Sequence, residues 1–319
     1  MRTRSRRSTR LAAAVRLSLA LVVVGVLAAG SAAAQEHSEP LMVVVSIQPW
    51  ADLVARVGGD QVEVQTLLPA GASPHAFEPS PSQAIVLGAA DLVVLNGVLD
   101  SWLSRLLDAV APDAEHLVLM DVLTFEPIQG HAHADEDLDH DGEVQAANPH
   151  IWLDPVIARE AVLVLAEKLS SLLPTKAREF RSRAEALVTE LSELDAELAA
   201  RLDAVQDAPF VPFHDAWAYF ARRYGLDLVA TLEPFPGREP SARYVAETIL
   251  AIREAGAGVI FDERQFGGRT AQVVAESGGL RVVTLDPIGG SPGPDGYTEL
   301  LRYNAELIAS ALGGRSPGE

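Results

Sequence analysis

Apolar residues along this chain alternate between two periods. Short β-branched runs, "MVVVSI" (42–47), "VEVQTLL" (62–68), "DLVVLN" (91–96) and "HLVLMD" (116–121), read as four strands. Between them "WADLVARVGG", "SPSQAIVLGAA" and "LDSWLSRLLDAV" read as helices, with Ser80 or Ser82 as N-cap of the second. From Pro155 to Val205 the pattern changes to a long helical run, interrupted only at Pro174, with Leu187, Leu191, Leu194, Leu198 and Leu202 at three-to-four spacing. A second set of strands follows: "PFVPFH" (209–214), "DLVATLE" (227–233), "AGVIFDE" (257–263) and "LRVVTLDP" (280–287). Helical patterns separate and follow them, ending with "YTELLRYNAELIASAL".

This order predicts an α/β chain of two lobes, each with a four-stranded, mainly parallel sheet flanked by helices. One long helix joins them. The expected boundaries are 35–173 for the first lobe, 174–206 for the linking helix and 207–319 for the second lobe. The linking segment would be on the order of 45 Å long at 1.5 Å per residue. A coiled-coil partner is the competing reading of its leucines, but βα alternation resumes directly after it and favours a rigid connector.

Residues 1–34 stand apart from this pattern. Six arginines, from Arg2 to Arg16, flank and precede an apolar run that ends in "AAGSAAAQE", which reads as a secretory signal peptide cleaved after Ala34. "SRR" at Ser5–Arg7 raises twin-arginine export, although Thr9 and Arg10 follow where an apolar pair is expected, so Sec or Tat export stays open. Removing the leader takes the 25 basic residues to 19 against 44 acids, and the net charge from −19 to −25. Such a surface repels nucleic acid and anionic membrane and favours cations. Cysteine is absent, so the expectation is a soluble periplasmic monomer without a lipid anchor, whose metal sites use histidine and carboxylate.

Ligands of open parallel sheets bind beyond the carboxyl ends of the strands. His75 follows the second strand, His150 the fourth, His214 the first strand of the second lobe, and Asp286 its last strand. Each has an ordinary reading as a turn or capping residue. Together they place four donors, two per lobe, at one edge of both sheets. Three imidazoles and a carboxylate suit a tetrahedral Zn²⁺ site, whereas Mn²⁺ prefers more oxygen donors. Glu263 is a competing oxygen donor or a partner held behind the ligands. The unperturbed histidine pKa predicts metal affinity that weakens below about pH 6.5. His131, His133 and His140 lie among acids in the stretch 131–143, either as weak accessory metal ligands or as part of a solvated loop with no role.

"GASPHAFEPSPSQ", "ADLVVLNG", "NPHIWLDP", "FHDAWAYFARRYGL" and "IFDERQF…VVTLDPIGG" resemble the zinc and manganese solute-binding proteins of ABC importers, the ZnuA/TroA type. "PHIWLDP" and "FHDAWAYF" are the most specific parts, and the resemblance covers essentially the whole mature chain. It implies two α/β lobes bridged by a helix, with metal between them on His75, His150, His214 and Asp286. It also implies high-affinity Zn²⁺ capture and delivery to an inner-membrane ABC permease, with Mn²⁺ as the alternative cargo and no catalysis. A zinc-dependent hydrolase is the reading from another class; the chain has no H-E-x-x-H, and its donors are dispersed over two lobes. Three departures from the family pattern stand out: Asn148 where an aspartate often precedes the Pro-His pair, a short histidine loop, and no cysteine pair for a second-lobe disulfide.

Overall fold

Val43, Val44 and Val45 are wholly buried in β1 (Leu41–Val45), because a parallel sheet is covered on both faces and its inner strands are apolar throughout. The structure is a computed structural model and describes residues 39–129, 147–234, 240–290 and 292–313. The leader 1–34 and the histidine stretch 131–143 therefore lie outside the described residues. β1 pairs with β2 (Val62–Thr66) and β3 (Leu92–Leu95), and β3 with β4 (Glu115–Val118), all parallel, in the order β2-β1-β3-β4. The crossovers include α1 (Gln48–Gly58), α2 (Pro81–Gly88) and α3 (Ser104–Val110). Ser80 caps α2: its hydroxyl accepts the Gln83 amide while Gln83 Oε1 accepts the Ser80 amide at 2.7 Å, a reciprocal capping box. The run 116–121 does not stay extended. It turns at Leu119 into the single-turn helix α4 (Leu119–Val122), as the Met120 amide reaches back to the Asn96 carbonyl at 3.0 Å. A short apolar run fits strand and helix equally, so tertiary contacts decide.

The long helical run divides as its proline predicts. α5 (Pro155–Leu172) starts on Asp154, whose Oδ1 accepts the Val156 amide at 2.8 Å, and stops before Pro174. α6 (Ala177–Leu202) then runs 26 residues, about 39 Å. All five leucines of its stripe are buried against α5, α1 and, later in the chain, α10 (Tyr297–Leu312), so the stripe is satisfied inside the chain.

In the second half, α7 (Ala218–Tyr224), α8 (Ala242–Glu254) and α9 (Arg269–Gly278) accompany β5 (Pro209–Phe210), β6 (Asp227–Leu228), β7 (Val259–Glu263) and β8 (Arg281–Leu285). β5–β6 and β7–β8 are parallel pairs, joined by one parallel bridge between Pro212 and Phe261. The Phe213 amide donates to the Phe261 carbonyl at 2.7 Å and the Phe261 amide to the Val211 carbonyl at 2.9 Å. Four strands are thus present in the order β6-β5-β7-β8, but β5 is far shorter than 209–214 and β6 than 227–233. Pro212 has no N–H to donate, which ends the regular ladder.

One apolar core extends from Val43 through both long helices to Ala311. Smaller clusters cover the outer faces of the first sheet, around Val44 and Val93, and of the second, around Ile260 and Val274. Buried hydrogen bonds tie the two halves: Trp152 Nε1 donates to the Pro287 carbonyl, and the Tyr297 hydroxyl to the Trp152 carbonyl, each at 2.7 Å. No helix of the described residues is long and apolar enough to cross a membrane.

Candidate metal centre

Three strand-end loops deliver three imidazoles to one point. His75 sits between β2 and α2 in a loop shaped by Pro69, Pro74 and Pro79. His150 follows Pro149 and opens the short 3-10 turn Ile151–Leu153, whose residues are fully buried and fix it in place. His214 ends the Phe210–Phe213 run and opens the turn Asp215–Trp217. His75 Nε2 and His214 Nε2 each lie 3.2 Å from His150 Nε2. A tetrahedral ion with Zn–N bonds of 2.0–2.1 Å needs its nitrogens about 3.3 Å apart. Among the described residues, these three are the group whose donor atoms all lie within 4.8 Å of one another. Trp152 packs on the His150 ring, with centroids 5.2 Å apart, and Phe266 on the His214 ring at 5.1 Å, so apolar surface borders the imidazoles.

The other ring nitrogens are held differently. Asn148 Oδ1 faces both the His150 amide at 3.0 Å and His150 Nδ1 at 2.8 Å, which places the proton on Nδ1 and the lone pair on Nε2. Asn148 is itself fixed by donating from Nδ2 to the Asp215 carbonyl at 2.8 Å. His214 Nδ1 instead meets Glu263 Oε1 at 2.6 Å, and Gln265 Nε2 donates to Glu263 Oε2 at 2.8 Å. Glu263 therefore stands behind His214 and outside the imidazole group.

Electrostatics follow from these partners. Burial, then the neighbouring His214, pushes His75 down to about 3. Burial, with His214 and His75 beside it, holds His150 well below the ordinary histidine value. Burial opposes charge on His214 as well, but Glu263, Asp215 and Glu233 outweigh it and raise its pKa.

Asp286 is at the expected strand end but outside the imidazole group. Its Oδ1 accepts the Ile288 amide at 3.1 Å and the Gly289 amide at 2.8 Å, while Asn304 brackets its backbone. Oδ2 faces Arg264 Nε at 3.8 Å. His131, His133 and His140 fall outside the described residues. In the sequence Asn148 stands out only as a departure from a pattern, and Gln265 and Arg264 do not stand out at all. The one local signal was spacing: Asn148 and Gln265 each sit two residues from the group they hold.

The sequence profile of a family described as zinc-uptake complex component A, periplasmic, matches residues 43–311. The high-affinity zinc uptake system protein ZnuA of Paracoccus denitrificans is 32% identical over 313 residues, covering 90% of this chain and 96% of that protein. A crystal structure of ZnuA superposes with a TM-score of 0.76 at 30% identity, covering 86% of this chain and 99% of the other. FpvC from Pseudomonas aeruginosa in complex with Mn²⁺ has a TM-score of 0.75 at 27% identity, with 86% and 99% covered. With three strand-end imidazoles converging in that fold and the profile spanning nearly all of the described chain, the protein belongs to the ZnuA family of periplasmic zinc-uptake components.

Proposed function

We propose that the protein captures Zn²⁺ in the periplasm and hands it to the membrane permease of an ABC importer. The observation that carries this reading is the convergence of His75, His150 and His214 through Nε2 at zinc spacing. Asp286 supplies the fourth donor once its Oδ2 turns toward the ion. Nitrogen-rich coordination favours Zn²⁺ over Mn²⁺, and the zinc uptake protein of Paracoccus denitrificans points the same way, while the Mn²⁺ complex of FpvC keeps manganese as the alternative. Both oxygens of Glu263 are engaged, by His214 and Gln265, which leaves it poorly placed as the general base of a hydrolase. The leader 1–34 supports export, and residues 35–173 and 207–319 act as the lobes on either side of the helix 174–206. His131, His133 and His140 serve at most as weak collectors, so deleting 131–143 lowers weak-site stoichiometry and leaves the tight site intact.

Elemental analysis and competitive Zn²⁺/Mn²⁺ titration of the mature protein and of His214→Ala test the reading. The expected result is one tight zinc equivalent, lost or severely weakened in the variant. Equal, weak binding of both metals by both proteins would refute it.

A further inference from the structure

Asp286 is enclosed on every side the structure describes. Two backbone amides occupy Oδ1, and Arg264 faces Oδ2. Arg264 is anchored in turn, because its Nη1 donates to the Pro292 carbonyl. Beyond Oδ2 the backbone of Gly293 closes in so tightly that a Cβ there would lie 2.7 Å from the carboxylate oxygen. Yet the chain neighbours of Asp286 border the residues that surround the metal centre. Leu285 pairs with Glu263, the partner of His214, and Pro287 accepts the hydrogen bond of Trp152, which packs on His150. The carboxylate stands beside residues that contact His214 and His150, and it is held in an ion pair outside the imidazole group.

We infer that Arg264 is a specificity-determining residue: by pairing with Asp286 it makes any ion that recruits Oδ2 compete with a guanidinium, and so disfavours ions that depend most on that oxygen, such as Mn²⁺. The inference rests on the proposed metal site. Its physical basis is competition for one anion. An ion entering the centre must draw Oδ2 away from a guanidinium that neutralises it. Zn²⁺ binds well through three imidazoles alone and needs the carboxylate less. Mn²⁺ gains more from each anionic oxygen, so it is penalised more by the restraint. Arg264 follows Glu263 in the chain, and its side chain is directed to Asp286 and the Pro292 carbonyl, so it acts through Asp286.

The test uses the mature full-length chain with Arg264→Gln, Asp286→Asn and the double variant, titrating Zn²⁺ and Mn²⁺ separately against a competing chelator. Arg264→Gln should tighten Mn²⁺ binding by about tenfold or more and Zn²⁺ by a smaller factor, because the freed carboxylate suits the harder ion. The double variant should behave like Asp286→Asn alone. An unchanged ratio of Mn²⁺ to Zn²⁺ affinity in Arg264→Gln overturns the inference. So does a gain that persists in the double variant, which would show only the removal of a nearby positive charge. Arg264→Lys, which keeps the charge and loses the Pro292 anchor, should show a smaller gain than Arg264→Gln, and an equal gain also counts against the charge pairing. If the wild-type protein binds no tight zinc, the metal site itself fails; if it does and the ratio stays fixed, only the role of Arg264 fails.

Discussion

His214 is the imidazole of the three whose second nitrogen meets a carboxylate, and that sets the pH behaviour of the centre. His75 and His150 are held neutral far below the ordinary histidine value, so protons do not compete with metal there near neutral pH. The pKa of His214 is raised, so metal must displace a proton from it, and affinity falls as pH drops through that raised value. The decline therefore begins above the pH 6.5 that three unperturbed histidines would suggest. Zinc binding should release protons from His214 in an amount that grows as pH falls toward its raised pKa, read by calorimetry in buffers of different ionisation enthalpy. Glu263→Gln removes the main cause of the shift. It should reduce that release and weaken zinc about 10- to 100-fold, the usual cost of losing a partner behind a ligand. Unchanged proton release in Glu263→Gln would place the proton elsewhere. At this scale the three histidines were legible because strand-end loops of a parallel sheet present their side chains at one edge. The orientation of Asp286 was not, because it is set by the turn that donates the Ile288 and Gly289 amides to Oδ1 and by Arg264 facing Oδ2 from the end of β7.

Between elements, Trp152 connects what the chain separates by more than a hundred residues. Its indole donates to Pro287 beside Asp286, and its carbonyl accepts from Tyr297 at the start of α10. Trp152→Phe deletes the donor and leaves a buried carbonyl unsatisfied, which should cost about 1–3 kcal/mol. Urea unfolding measures it, and no change in midpoint would show that water or another donor replaces the indole. The long helices α5 and α6 were legible almost to the residue because their 3.6-residue period persists over 18 and 26 positions and a proline marks the break. The strands of the second half were less so. Periodicity shows that "PFVPFH" is apolar and extended, but whether it forms a ladder depends on amide donors, and Pro212 withdraws one.

At the scale of the whole molecule, the metal donors belong to both halves while the core is continuous between them. His75 and His150 come from the first half and His214 from the second, yet one apolar cluster runs from Val43 to Ala311 through both long helices. Two lobes with separate cores would melt in two steps, and a ligand held by both would raise whichever step first breaks the site. A shared core makes unfolding cooperative, so zinc bound to any part stabilises all of it. Free zinc at a thousand times the dissociation constant adds about 4 kcal/mol by mass action. For a chain of this size that corresponds to a rise in Tm on the order of 10 °C. Scanning calorimetry of the mature protein should show one transition that moves upward as a unit with zinc, and the same single transition, unmoved, in His214→Ala. A melt in two steps, of which zinc shifts only one, would mean that the halves are independent domains and that the continuous core contributes little to their coupling.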